Sequence, residues 1–307
     1  VIIAIDDKSI QEIGQWPWPR EVFSILITKL ESNRPKVLGI DVLFSEESRV
    51  GTNDDKLLEN SIRNSSFPVV LVTQINNSSF ANNILQSSGL LTPLSKFINA
   101  GASSGYINVI SSKDGVTRFY PSSSISAEDK IVKPFYEEVL TKALLPNQVI
   151  QNNISRIYFA GGSGSIRTVS LVDVLNDKVG NLNDKILLLG ATAPSLHDTQ
   201  KTPGSGNKEM SGVEIHGHIL NMQISTLKLS DLPNDKQLWL IILASIISGI
   251  IFLIIFRIEI AIFANVALGF GYLIATIILF DKGFVINIIH LSLAWIFVTI
   301  FCCNFLL

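Results

Sequence analysis

LWLIILASIISGIIFLIIF, at residues 238–256, is the first of three apolar runs that close the chain. It is followed by IAIFANVALGFGYLIATIILF (260–280) and FVINIIHLSLAWIFVTIFCCNFLL (284–307), and none of the three contains a charged residue. A helix rises about 1.5 Å per residue, so each run is long enough to cross a hydrocarbon core about 30 Å thick. A buried soluble helix would not stay apolar on every face three times in succession. The runs therefore predict three transmembrane helices in an up-down-up arrangement.

The preceding residues divide into a domain at 1–226 and a linker at 227–237. A domain of that length is within the usual range for a single core. The formal net charge of the chain is −2, which gives no basic surface of the kind that binds nucleic acid. The only cysteines, Cys302 and Cys303, lie in the third apolar run, so residues 1–237 have neither a disulfide nor a thiolate metal site. Because the chain starts without Met and ends inside an apolar run, we expect it to be part of a longer protein.

The first 45 residues have the pattern of a β-α-β unit. Residues 1–5 and 37–44 are apolar runs typical of buried strands, and residues 20–33 have apolar side chains at helical spacing. Such a unit places its two strands in a parallel sheet, here as expected neighbours. Later patterns predict strands at 68–73 and 186–190, helices at 51–64, 134–145 and 212–224, and hairpins at 105–120 and 157–169. We therefore predict an α/β domain with a mixed, largely parallel sheet flanked by helices, followed by an all-α three-helix transmembrane segment.

Two aspartates follow the first two predicted strands. Asp6 and Asp41 should lie at the carboxyl edge of the sheet, where open α/β sheets bind ligands. Two carboxylates there can hold a cation or take part in acid–base chemistry. The structural alternative is that they cap the following turns or pair with Arg20.

The most unusual local sequence is Trp16-Pro17-Trp18-Pro19-Arg20. Two rigid aromatic rings beside a guanidinium group can form a binding wall through stacking or cation–π contacts. The structural alternative is that Trp16 and Trp18 pack a loop against the sheet while Arg20 pairs with a carboxylate.

A polar set with Asp198 and His216 follows the strand predicted at 186–190. It also contains Ser195, His197 and His218, but no motif of a serine hydrolase or a zinc enzyme accompanies them. Convergence of Asp6, Asp41, Asp198 and His216 in one cleft would indicate a membrane-anchored, metal-dependent enzyme. We predict no catalytic residue, no metal and no cofactor for this chain, and keep that enzyme as the alternative.

His290 is the one titratable side chain inside the third apolar run. Ionisable residues within membrane spans are often functional. A neutral histidine can equally hydrogen-bond a neighbouring helix, and we favour that structural role.

Taken together, five segments resemble the CHASE domain of the second type. They are AIDD-x-S (4–9), G-x-WPWPR (14–20), GIDVLF (39–44), LGATA (189–193) and GVEIH (212–216), and their order and the three helices that follow are as in that family. The resemblance implies an extracytoplasmic sensory domain of a bacterial transmembrane receptor. It also implies an output module after Leu307, commonly a cyclase or a kinase.

The function expected from these observations is the sensory input of a receptor in the inner (plasma) membrane. Residues 1–237 would lie outside the cytoplasm and bind an unknown small ligand through Asp6, Asp41, Trp16, Trp18, Arg20, Asp198 and His216. The expected partners are the lipid bilayer and a second copy of the chain, joined through the membrane helices, and no nucleic acid. A ligand-free structural scaffold is the third possibility.

Overall fold

The computed structural model gives a backbone for residues 1–76, 79–81, 84–86, 89–122, 125–127, 130–146, 154–206 and 208–306. It describes the side chains in those ranges except at 79–81, 84–86, 125–127, 130–131, 290–291 and 302–306. The side chain of His290 thus lies outside the described residues. The chain forms two compact units, Val1–Leu227 and Lys228–Leu307.

Both units contain helices and strands. In chain order, the helices are α1 (Asp7–Ile13), α2 (Arg20–Leu30), α3 (Thr52–Asn64), α4 (Ser95–Asn99), α5 (Phe135–Lys142), α6 (Leu171–Leu175), α7 (Gly212–Ile224), α8 (Asn234–Ile254), α9 (Ile258–Asp281) and α10 (Ile288–Leu306). The strands are β1 (Ile2–Ile5), β2 (Val37–Asp41), β3 (Val69–Asn76), β4 (Ser79–Ala81), β5 (Ile84–Gln86), β6 (Gly89–Leu91), β7 (Ser103–Tyr106), β8 (Ile110–Ser111), β9 (Thr117–Pro121), β10 (Ile125–Ala127), β11 (Lys130–Val132), β12 (Ile154–Arg156), β13 (Thr168–Ser170), β14 (Ile186–Ala191), β15 (Thr199–Gln200), β16 (Met210–Ser211), β17 (Ser230–Asp231) and β18 (Phe284–Val285).

The first unit is built on a seven-stranded sheet with the order β13-β1-β14-β2-β3, in which both β6 and β7 pair with β3. Every pairing in it is parallel except the antiparallel pairing of β3 with β6. The predicted mixed, largely parallel sheet with flanking helices is therefore confirmed.

Alternate strand residues enter two apolar cores on opposite faces of the sheet. Ile3, with side chains of α2, α3, α4 and α6, belongs to one core, and Ile2, with side chains of α5 and α7, belongs to the other. This alternation follows from the two-residue repeat of a strand. The unit therefore has three layers, with helices on both faces of the sheet.

Two of the predicted pairings are wrong. The strands β1 and β2 are not neighbours, because β14 lies between them and pairs with both. The segments around residues 157–169 do not form a hairpin, because β12 pairs with β9 and β13 pairs with β1. The other hairpin, β8 with β9, is present. Helix α1 was not predicted from the sequence.

The second unit contains the apolar helices. Of the described residues, α8 and α9 form helices long and apolar enough to cross a membrane, and the described apolar part of α10 is the shorter stretch Ser292–Phe301. The third helix starts at Ile288 and not at the predicted residue 284, since Phe284–Val285 forms β18 and pairs with β17. Ser248 of α8 donates a buried hydrogen bond to Asn265 of α9 at 2.6 Å (Oγ to Oδ1), a type of contact that joins helices in lipid.

Candidate functional site

The Trp-Pro-Trp-Pro-Arg segment forms an aromatic cluster. Trp18 is buried, and its indole N–H donates a hydrogen bond to the carbonyl oxygen of Gly14 at 2.8 Å. Trp16 meets Trp18 edge to face with ring centroids 5.2 Å apart, and meets Phe23 of α2 in the same way at 6.3 Å. Aromatic pairs favour this geometry. Trp18 therefore packs as the structural alternative expected, whereas Trp16 remains half-buried.

Arg20 is held by groups of its own chain. Its Nε lies 3.5 Å from a carboxylate oxygen of Asp55, and one terminal nitrogen donates to the carbonyl oxygen of Glu46 at 3.0 Å. The guanidinium carbon lies 4.7 Å from the ring centroid of Phe44, a cation–π distance. Lys96 also contacts Asp55 at 3.1 Å, so this buried carboxylate has two cationic partners. Arg20 thus pairs with a carboxylate, but with neither Asp6 nor Asp41.

Asp54 fixes the start of α2. Its two carboxylate oxygens accept hydrogen bonds from the backbone N–H groups of Arg20 at 2.7 Å and Glu21 at 2.9 Å, and from the Ser48 hydroxyl. Those N–H groups would otherwise lack an intrahelical partner. Asp54 itself lies in the first turn of α3, whose N-cap is Gly51, and its side chain caps α2 instead. Roles of this kind depend on contacts between distant segments.

A cavity of about 340 Å³ opens beyond the carboxyl ends of β2 and β14. Five of the seven predicted site residues line it: Trp16, Trp18, Arg20, Asp41 and Asp198. Ala191, the last residue of β14, and Leu196, in the segment after that strand, add an apolar wall. The sheet order explains this grouping, since Asp41 ends β2 and pairs in register with Gly190 of the adjacent β14. Ligands of open α/β sheets bind at this edge.

Asp41 and Asp198 are the two acids of the cavity. Burial, with a smaller contribution from the nearby Asp198 carboxylate, raises the pKa of Asp41 to about 8. Burial also raises the pKa of Asp198. Within the part of the chain that the structure describes, neither carboxylate accepts a hydrogen bond or forms an ion pair. In both carboxyl groups of the cavity the neutral form is therefore favoured more than in an ordinary aspartate.

Asp198 is positioned by the start of α7. A Cβ atom added to Gly212 would lie 2.7 Å from both carboxylate oxygens of Asp198, so only glycine leaves this space for the acid. The backbone N–H of Gly212 also donates to the carbonyl oxygen of Asp198 at 3.0 Å. The first residue of the Gly-Val-Glu-Ile-His segment therefore sets where the Asp198 carboxylate lies.

The other two predicted site residues, Asp6 and His216, do not line this cavity. Asp6 caps α1, where one carboxylate oxygen accepts hydrogen bonds from the Ser9 backbone N–H at 2.9 Å, from the Ser9 hydroxyl at 2.6 Å and from the Ser170 hydroxyl at 2.8 Å. His216 is buried edge to face against Phe135 at 5.7 Å, and its burial lowers its pKa to about 4. Asp6 therefore acts as a helix cap, and His216 packs in the core.

The four residues of the metal-enzyme alternative do not converge. Asp41 and Asp198 share the cavity, but Asp6 and His216 lie elsewhere. Across the described residues, no group of three or more His, Cys, Asp or Glu side chains is placed to hold a metal ion. The geometry on which that alternative depends is not found.

Glu214 is a buried acid that the sequence analysis did not single out. Its carboxylate accepts hydrogen bonds from the backbone N–H of Gly164 at 2.8 and 3.0 Å and of Ile166 at 3.4 Å. One turn further along α7, His218 accepts from the Ala160 N–H through Nδ1 at 3.3 Å. The proton of the neutral ring is therefore on Nε2, which lies 3.3 Å from the Ser165 hydroxyl oxygen. With Nδ1 already accepting a hydrogen bond, this histidine is not placed to act as a base. The side chains of Glu214 and His218 therefore anchor the loop that contains Gly-Gly-Ser-Gly, at residues 161–164.

Replacement of Glu214 with Ala is expected to lower the free energy of unfolding by about 2 kcal/mol, because buried backbone N–H groups lose a charged acceptor. Hydrogen exchange at Gly164 should accelerate in the same variant. Glu12→Ala, at an exposed position of α1, is the matched control and should change the unfolding free energy by less than about 0.5 kcal/mol. Equal stability of the two variants would show that Glu214 does not anchor the loop.

The fold and the apolar helices define the class of the protein, an α/β domain joined to helices that are long and apolar enough to cross a membrane. A family model of the CHASE2 domain matches residues 1–254, from the first strand of the sheet to the end of α8. The chain therefore belongs to the CHASE2 family of extracytoplasmic sensory domains, as its sequence segments indicate. No curated protein and no solved structure matches it.

Proposed function

We propose that this chain is the sensory input region of a bacterial transmembrane signalling receptor, in which the cavity lined by Trp16, Asp41 and Asp198 binds a small extracellular ligand. The observation that supports this most strongly is the position of the cavity. It lies at the carboxyl edge of the sheet, in a member of a sensory family, and its volume of about 340 Å³ suits a small molecule. The site itself would be non-catalytic.

A ligand can act on a receptor only through different affinities for two states of the domain. The cavity is lined by two segments that are far apart in sequence: the start of α2, and the segment between β14 and α7. A ligand that favours one spacing of these elements would bias the position of α7. The segment at 227–237 and helix α8 would then pass the change through the membrane to an output module beyond residue 307.

Thermal unfolding of the full chain in lipid nanodiscs, with a panel of cationic, neutral and anionic small molecules, tests this proposal. At least one compound should raise the unfolding midpoint, because a ligand of the folded state stabilises it by mass action. Leu196→Trp, which fills the cavity, should abolish the shift, and Leu57→Trp, on the exposed part of α3, should not. If no compound raises the midpoint, the ligand-free scaffold is the better description.

The proposed topology predicts which positions an impermeant maleimide reaches in intact spheroplasts, once Cys302 and Cys303 have been replaced. Ser195→Cys, at an exposed position after β14, should be labelled without permeabilisation. Arg257→Cys, between α8 and α9, should be labelled only after it. The opposite pattern would place residues 1–237 in the cytoplasm and contradict the proposal.

The proposed assembly is a homodimer through the membrane helices. Ala267, Gly271 and Ala275 are exposed, follow one another at intervals of four on α9, and line one apolar groove. Small residues at this spacing let transmembrane helices approach closely. Gly271→Leu is expected to shift the protein towards monomer in nanodisc mass photometry. A Cβ atom at Gly271 meets no heavy atom of the described structure within 4 Å, so an unchanged dimer would exclude this face without a folding artefact.

A further inference from the structure

The cavity is lined by two acids and by one arginine, whose guanidinium group already has partners within the protein. Of the described side chains that line it, Arg20 is the cationic one, and Asp55, the Glu46 carbonyl oxygen and the Phe44 ring occupy its guanidinium group. Arg20 is therefore not available to neutralise Asp41 or Asp198, and the cavity has an excess of negative charge when these acids ionise.

The fully buried acids of the domain have partners within the protein. Asp54 accepts hydrogen bonds from two backbone N–H groups and a hydroxyl group. Asp55 forms ion pairs with Arg20 and Lys96. Glu214 accepts hydrogen bonds from backbone N–H groups of the Gly164 loop. Among the described residues, Asp41 and Asp198 have neither kind of partner, although burial raises the pKa of both. Both are half-buried and line the cavity, so a group bound in the cavity can reach their carboxylates.

We propose that the cavity takes a small organic cation, an ammonium or guanidinium group on an apolar body, with the charge between Asp41 and Asp198 and the body against Trp16 and Leu196. This inference rests on the proposed function and specifies the ligand class of the same site. The aromatic wall favours a cation that carries apolar surface. A calcium ion would need six to eight oxygen ligands, and two carboxylates supply few of them.

Binding of such a cation is coupled to release of a proton. Asp41, with a pKa of about 8, is protonated in the free protein at neutral pH, and a cation beside it favours the charged form. His216 on α7 does not compensate for this change, because its pKa is lowered to about 4 and it stays neutral over this pH range. The affinity for the cation should therefore rise about tenfold per pH unit from about pH 6 to about pH 8.

The test uses calorimetry on the full chain in nanodiscs with three cations: 2-phenylethylamine, isopentylamine and phenylguanidine. At least one should bind, whereas 2-phenylethanol and phenylacetate, which share the apolar body, should not. Asp41→Asn and Asp198→Asn should each weaken binding at least tenfold, and the exposed Asp184→Asn should leave it unchanged.

Several outcomes would overturn the inference. These are binding of none of the three cations, equal binding of the alcohol, no effect of pH, or no effect of the two Asn variants. Binding of Ca²⁺ that depends on the same two acids, without binding of the amines, would assign a metal site instead. If only neutral or anionic compounds of the stability panel bind, the cation inference fails and the sensory function stands; if no compound binds, both fail.

Discussion

Asp41→Asn is expected to raise the free energy of unfolding by about 3 to 5 kcal/mol at alkaline pH. The reason is the raised pKa of Asp41, about 8 in the folded protein against 3.8 for an ordinary aspartate. Each pKa unit corresponds to about 1.4 kcal/mol of difference between the two protonation states. Asn has nearly the same shape as the protonated acid and carries no charge that burial would oppose.

The sign of the pH dependence follows from the two protonation equilibria. Below about pH 4 both folded and unfolded states bind the proton, and Asp41 gives its full contribution to stability. As the pH rises, the unfolded chain loses this proton first, so the contribution decreases and is lost once the pH passes the folded pKa of about 8. The stability advantage of Asp41→Asn over the wild type should therefore grow from about pH 4 to about pH 8 and then stay constant.

Urea unfolding of the full chain in nanodiscs at a series of pH values measures this difference. Asp184→Asn provides the control, because Asp184 is exposed and its contact with Lys36, at 3.6 Å, is a surface ion pair of small energy. A stability difference between Asp41→Asn and the wild type that does not change with pH would mean that Asp41 is solvated and ionised as in free solution. The electrostatic description of the cavity would then be wrong.

Local sequence patterns predicted much of the fold. Helix α7 has the bounds predicted from its apolar spacing, and α2 starts at the predicted Arg20, after the two prolines that exclude an earlier start. These features depend on residues within one or two turns of each other. The same local reasoning placed the strands β1 and β2 as neighbours, and there it failed.

The error concerned β14, which is far along the chain and pairs with both β1 and β2. Nothing local in the first 45 residues indicates that a later strand separates them. The consequence for the site is direct. Asp41 was expected beside Asp6, but it lies beside Asp198, which follows β14 in the chain. Asp6 caps α1 and does not line the cavity.

For a related reason, the sequence did not indicate which groups of the protein Asp54, Asp55 and Glu214 bind. Each satisfies groups of a segment distant in sequence, such as the N-terminus of α2 for Asp54 and the Gly164 loop for Glu214. The available signal was only the presence of acids in otherwise amphipathic helices, where a solvated surface is the usual outcome. Contacts of this kind are fixed by the packing of the helices on the sheet.

That packing predicts the second large effect, a loss of about 3 kcal/mol of unfolding free energy in Gly105→Ala. Gly105 lies in β7, where an added Cβ would come within 2.6 Å of the Phe135 Cα and 2.9 Å of the Pro134 carbonyl oxygen. These are backbone atoms at the start of α5, which cannot rotate away as a side chain can. The Tyr106 N–H donates to the Lys133 carbonyl oxygen at 2.9 Å, so the two segments are also joined by a hydrogen bond. Overpacking of this kind costs about 1 to 3 kcal/mol and occasionally more, which exceeds the entropic gain from removing a glycine.

Displacement of α5 should affect more than stability. Phe135 packs against Gly39 of β2 and against His216 of α7, so a shift of α5 disturbs the packing on β2, the strand that ends at Asp41. Urea unfolding, monitored by tryptophan fluorescence, should show a lower midpoint urea concentration for Gly105→Ala than for the wild type. Gly180→Ala is the matched control, because its added Cβ meets only the Arg167 side chain, at 3.6 Å, and it should keep the wild-type midpoint. Equal midpoints for the two variants would mean that α5 can move off β7 at little cost, and that the sheet does not hold this helix in place.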